Sequence, residues 1–170
     1  MKTVYLIHYL CVPVKYIRIG VFFLFLKSKI RTKMTTKIIY EDGLRTDMEH
    51  VESATHIKTD APKDNQGNGA AFSPTDLMAS ALGSCIVTTM AIYARNHSIF
   101  FENVHAEVTK IMVPNPRKVG EVKVDIYFPE HPYSEKEKSG LEYIAHTCPV
   151  ARSLHPDLLQ TVRFFYGTNS

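Results

Sequence analysis

From residue 34 onward the apolar positions recur first at every second residue, then at helical spacing, then at every second residue again, and these changes of period divide the chain into elements. Thr36 to Glu41 and Leu44 to His50 carry strand-forming residues on either side of Asp42-Gly43, a hairpin pair, and a third short strand follows at Thr55 to Thr59. Val104 to Val113 and Glu121 to Phe128 form a second antiparallel pair, joined by Pro114 to Gly120. The latter strand sets Val122, Val124, Ile126 and Phe128 on one face, which must cover a core. Thr161 to Tyr166 reads as the closing strand.

The helical signals are equally local. Ser73-Pro74-Thr75-Asp76 offers an N-cap serine, a proline at the first helical position and an acid at the third, where it can reach back to the cap. No charge follows from Leu77 to Ala94, and Arg95 and His97 then stand where cations suit the dipole. A helix uncharged all round is buried on most faces. Its many small residues, among them Ala79, Ala81, Gly83 and Ser84, suit close helix packing. Ser134 to Thr147 gives a second helix with Ser134 as cap, and Pro149 to Leu154 a short third one. Between strands and first helix, Asp60 to Phe72 is dense in Asp, Asn, Gly and Pro and reads as a long loop, a frequent place for function.

The order βββ-α-ββ-α-α-β defines an α+β domain with a helical layer on antiparallel sheets. One such domain cannot easily bury both its sheet and an uncharged helix, and dimerisation through that helix is the natural remedy.

Composition sharpens this picture. A chain of 170 residues, 45% hydrophobic and 22% charged, is a globular domain that needs no metal or disulfide to stay folded. The net charge of +3 conceals an asymmetry: residues 1 to 33 hold seven basic residues and no acid, leaving 13 Lys and Arg against 17 Asp and Glu in residues 34 to 170. That acidic remainder argues against nucleic acid or a membrane surface as partner. Residues 1 to 33 are read as a basic, apolar extension outside the domain of residues 34 to 170, consistent with translation from an upstream start, with Met34 the functional beginning. Their uncharged runs are too short to span a bilayer, which takes about 20 residues, and no secretory cleavage pattern follows them. Three cysteines, Cys11, Cys85 and Cys148, are too few and too dispersed for a disulfide framework, so a reduced, cytoplasmic setting is expected.

Two of these thiols are candidates for chemistry. Cys85 falls in the third turn of the uncharged helix, on the stripe Leu77, Ala81, Cys85, Ile92. A cysteine on an apolar helix face is commonly an inert small hydrophobe. Cys148 precedes Pro149 at a helix start, where amide N–H groups favour a thiolate; it also serves as a plain N-cap. On these grounds Cys148 is the more reactive of the two. If both thiols face one site they form a dithiol couple. The histidines show no metal-ligand spacing, and neither a Gly-rich phosphate loop nor a G-x-S-x-G elbow is present, so no metal or cofactor is expected. Arg45, in the second strand, is either a solvent-facing residue or, beside a buried cysteine, a group that lowers its pKa and holds a peroxide oxygen.

The run Ser73-Pro74-Thr75-Asp76-Leu77-Met78-Ala79-Ser80-Ala81-Leu82-Gly83-Ser84-Cys85, with Cys148-Pro149-Val150-Ala151 some 60 residues on, resembles the OsmC/Ohr family of osmotically induced and organic-hydroperoxide-resistance proteins, over residues 36 to 166. The resemblance implies an intertwined homodimer in which sheets wrap around long central helices, and thiol-dependent reduction of organic hydroperoxides. It makes Cys85 the peroxidatic thiol and Cys148 the resolving one, with a dithiol or lipoyl-type reductant restoring both. Arg45 matches the family's activating strand arginine, acting from near or across the dimer interface. Hydroperoxide-resistance members place Glu directly after the proline, where this chain has Thr75; Asp76 matches the other branch and completes the candidate catalytic set. Two other readings remain open at this level: a general thiol-disulfide redox protein, and a non-enzymatic dimer that binds a small apolar ligand.

Overall fold

The computed structural model describes residues 33–167, so the expectations for the N-terminal extension and for Cys11 lie outside the described residues. The elements are β1 (Thr36–Glu41), β2 (Arg45–His50), β3 (Thr55–Asp60), α1 (Pro74–Asn96), β4 (His105–Pro114), β5 (Arg117–Phe128), α2 (Glu135–Ala145), α3 (Pro149–Ser153) and β6 (Leu159–Tyr166), with one short 3-10 turn at Lys63–Asn65. They make two three-stranded sheets, β1-β2-β3 and β4-β5-β6.

The first sheet is an antiparallel meander. Glu41 pairs with Arg45, so the hairpin loop has three residues rather than two, and Gly43 and Leu44 both take positive φ, at 78° and 65°. The second sheet departs from the antiparallel expectation. β4 and β5 are antiparallel, but β6 runs parallel to β5, because the chain between them crosses through α2 and α3 before returning to the sheet. The β4–β5 connection is also tighter than the sequence suggests: Pro114 pairs with Arg117, leaving Asn115-Pro116 as the turn. Gly120, read as the end of that loop, sits instead at a bulge where the register shifts. A Cβ there would lie 2.6 Å from Val113 Cγ1, which explains why glycine occupies it.

The core lies between α1 and the second sheet. Val122, Val124, Ile126 and Phe128 are fully buried, as their alternation requires. From α1 they meet Ala79, Leu82, Gly83, Ile86, Met90 and Ala94, which recur at helical spacing. Leu141 and Ala145 of α2 close the layer. α1 is long and apolar enough, by length and composition, to cross a membrane, yet this face of it is occupied by β4 and β5 and it also meets α2 and α3.

The expectation of a helix buried on most faces is met on one side only. Within one chain Ala81, Ser84, Thr88 and Ile92 are exposed, so this side of the helix faces outward for much of its length. The first sheet is equally open. No residue of β1, β2 or β3 belongs to the core cluster or packs on it, and Ile38, Tyr40 and Ile57 on one of its faces are 60%, 64% and 45% exposed.

Candidate functional site: a thiol pair between two helix segments

The first helix is fixed at its start by the expected capping box. Asp76 N–H donates to Ser73 Oγ at 3.1 Å, while Ser73 N–H donates to Asp76 Oδ2 at 2.7 Å. A third partner was not expected: Lys110 Nζ lies 2.6 Å from Asp76 Oδ1 and donates to Ser73 Oγ at 2.9 Å and Thr75 Oγ1 at 2.8 Å. Burial raises the Asp76 carboxyl, but the bonds from Lys110 and Ser73 outweigh it and hold the pKa below the ordinary range. Lys110 was legible in principle, since it falls in phase with Ala106 and Val108 on the helix-facing side of β4, where a lysine needs an acid to meet.

Three turns along this anchored helix stands Cys85, half-buried, its backbone carbonyl accepting the Thr89 hydroxyl at 2.8 Å. Cys148 approaches from the other segment. It is the N-cap of α3, fully buried, and its Sγ accepts the Ala151 N–H at 3.3 Å. The fold brings the two thiols, unlinked, near enough that each is part of the other's electrostatic surroundings.

This environment reverses the ranking drawn from sequence. Burial pushes the Cys148 thiol up, and the neighbouring Cys85, by hydrogen bond and by charge, pushes it further. The amides of Ala151 and Val150 pull the other way and do not prevail, because α3 is only five residues long and the sulfur has lost its water. Cys148 is therefore the inaccessible thiol of the two, held above the ordinary thiol range. Cys85 is the one open to solvent.

Arg45 stands elsewhere. On β2 it lies between Glu41 and Asp60, and among the described residues no hydrogen bond or ion pair joins it to either cysteine or to Asp76. Its Nε is buried without a partner. Asp76, engaged by Ser73 and Lys110, is part of the helix anchor rather than the thiol pair. Beside that anchor a cavity of about 460 Å³ is lined by Phe72, Asp76, Ala79, Val108 and Lys110. A second of about 490 Å³ continues it along α1 past Ser84 and Thr88.

Fold and site together define a small α+β protein with two unlinked cysteines set between a long helix and a helix cap. The family model described as OsmC-like protein matches residues 67–161, and the chain belongs to that family. A Psychrobacter arcticus protein named, provisionally, for osmotic stress induction and a detoxification response is 44% identical, the match covering 80% of this chain and 98% of that one, with a TM-score of 0.75. Two more distant structures share the fold. One is an organic hydroperoxide resistance protein OsmC, predicted redox protein, from Legionella pneumophila (19% identity, 79% of this chain and 99% of that one, TM-score 0.58). The other is the organic hydroperoxide resistance protein OhrB of Bacillus subtilis (15% identity, 77% and 98%, TM-score 0.53). A search of curated proteins returned no match.

Proposed function

We propose that this protein is a thiol peroxidase that reduces organic hydroperoxides in a stress-defence role, through a sulfenate-disulfide cycle on Cys85 and Cys148. The contact between a half-buried Cys85 and a buried, protonated Cys148 carries this reading. The Cys85 thiolate attacks the outer oxygen of the hydroperoxide; the O–O bond breaks, the alcohol leaves after taking up a proton, and Cys85 becomes a sulfenic acid. Cys148 then attacks that sulfur, a disulfide forms and water departs. An external dithiol, of lipoyl or similar type, reduces the disulfide and is itself oxidised to one. A buried resolving thiol that stays protonated until the sulfenate appears beside it is well placed not to compete for peroxide.

The working form in this reading is a homodimer. The open apolar face of the first sheet, with Ile38, Tyr40 and Ile57, and the outward stripe of α1, with Ala81, Ser84, Thr88 and Ile92, are complementary in character and both lack a cover within one chain. Laying each sheet on the partner's helix buries both. Arg45 leaves the other face of that sheet, so in this reading it reaches a Cys85 from the end of β2 rather than through that contact. The family relationship and the hydroperoxide-resistance names of the two distant structures support the same activity.

The test is turnover. Purified protein with a dithiol should consume an organic hydroperoxide, Cys85→Ser should abolish consumption, and Cys148→Ser should retain a single stoichiometric turnover that ends in a sulfenic acid. Wild-type activity in Cys85→Ser would sink the proposal.

A further inference from the structure

Arg45 and Asp60 face each other across the β2–β3 ladder. Their side chains therefore leave the sheet on one face, with Cβ atoms about 5 Å apart. Each nonetheless keeps a buried polar atom without a partner in the single chain: Nε of Arg45 and Oδ1 of Asp60. Of the buried side-chain atoms so stranded among the described residues, the other two are the hydroxyls of Tyr133 and Tyr166, so the sheet holds one unmet cationic donor and one unmet carboxylate acceptor, opposite each other. A guanidinium is permanently charged, and a buried N–H without an acceptor, like a buried carboxylate oxygen without a donor, is unfavourable.

The nearest other acids are engaged. Glu41, on the other side of Arg45, receives Lys58 Nζ at 2.9 Å. Asp47, further along β2, meets His56 at 2.8 Å, and Glu49 stands four residues from Arg45 along the strand, too far to face it across the ladder. Asp76, the acid suggested by the family resemblance, is held by Lys110 at 2.6 Å and by Ser73. Among the described residues Asp60 is the acid that combines complete burial with a free oxygen. Its second oxygen, Oδ2, accepts the Ala70 N–H at 2.8 Å, and its own N–H donates to the Phe72 carbonyl at 3.1 Å, so this residue also fastens the return of the 60–72 loop just before the α1 cap.

We propose that Asp60 is the positioning residue for Arg45: its free carboxylate oxygen pairs with the guanidinium in the working dimer and sets that fork toward the Cys85 thiol, a task Asp76 cannot perform while Lys110 holds it. The inference rests on the reading of Arg45 as the group that activates Cys85. Asp60 touches neither thiol nor substrate; it acts through the arginine, and it joins the pose of the arginine to the closure of the loop.

The experiment follows alkylation of Cys85 by iodoacetamide against pH in the full-length protein, with peptide-resolved mass spectrometry separating it from Cys11 and Cys148. Arg45→Gln should raise the midpoint by about 1 unit or more, the scale of a nearby opposite charge. Asp60→Asn keeps an acceptor for the Ala70 N–H and removes only the charge. It should raise the midpoint in the same direction, lower kcat/KM for an organic hydroperoxide about tenfold, and add little on top of Arg45→Gln. Asp76→Asn should move the midpoint less than Asp60→Asn does. A shifted Arg45→Gln beside an unshifted Asp60→Asn, or fully additive effects, overturns the proposal while leaving Arg45 as activator. An unshifted Arg45→Gln removes that reading itself and the proposal with it. A crystal structure of the wild-type dimer decides the pairing without any variant: a guanidinium nitrogen within about 3.2 Å of Asp60 Oδ1 is expected, and a separation beyond about 4 Å overturns it.

Discussion

Gly83 sits where α1 comes closest to the second sheet, and replacing it with alanine opposes two effects of known size. A Cβ at this position would stand 2.5 Å from Val108 Cγ2 and 3.9 Å from Val124 Cγ1. Relaxed carbon contacts lie at about 3.5–4.0 Å, so helix and strand must part by about 1 Å, or Val108 must leave a stiff β-branched rotamer. Overpacking of this kind costs about 1–3 kcal/mol. Alanine in a helix interior recovers about 1 kcal/mol relative to glycine, so the expected net loss is about 1 kcal/mol. In a Val108→Ala background the obstructing methyl is gone, and the same substitution should stabilise by up to about 1 kcal/mol. Urea unfolding of the four proteins at one fixed concentration measures this, since association would otherwise shift the midpoints. A coupling of about 1–2 kcal/mol is expected. If Gly83→Ala stabilises equally in both backgrounds, β4 does not lie against α1 at this point.

Further predictions concern the thiols and the helix anchor. Limiting iodoacetamide near pH 8 should label Cys85 well before Cys148, because burial and the adjacent Cys85 keep the Cys148 thiol above its ordinary range; equal or reversed labelling by peptide mapping would contradict the site geometry. Ser73→Ala removes the acceptor for the Asp76 N–H and a partner of Lys110, and should cost about 1–2 kcal/mol by calorimetry; an unchanged melting temperature would show the cap to be idle. The Asp76 carboxyl has a folded pKa below its unfolded value, so its contribution is complete above about pH 4 and is lost as pH falls through the folded value. The melting temperature should therefore drop below that pH, less steeply in Asp76→Asn, and parallel curves would refute the Lys110 contact.

Features set by a few adjacent residues could be read directly from the chain. The capping box at Ser73 and Asp76 needs only those two residues and a proline between them, and β5 declares its inner face by strict alternation. Apart from the lengths of the two hairpin turns, what was not legible is long-range. The direction of β6 depends on how α2 and α3 carry the chain back, which no residue of the strand encodes. The upward shift at Cys148 was not legible, because a helix start favours a thiolate only while water or enough amides reach it, and burial is a property of the whole fold. The capture of Asp76 by Lys110 joins residues on different elements, although the placement of a lysine in the apolar phase of β4 was a usable sign. Which side of α1 the second sheet covers was not legible, because an uncharged helix looks the same from sequence whether its cover comes from its own chain or from a second one. Arg45 fails to meet Cys85 within one chain for the same reason: in the proposed dimer the meeting requires a partner.

The most direct test adds one equivalent of an organic hydroperoxide to the fully reduced protein and weighs the product. The predicted result is loss of two hydrogen atoms, one proteolytic peptide cross-linking Cys85 to Cys148, and one equivalent of alcohol, with Cys85→Ser giving none of the three. An unchanged mass with the hydroperoxide intact, or oxidation that leaves Cys85 and Cys148 unlinked, would contradict the assignment of these two thiols as the working couple.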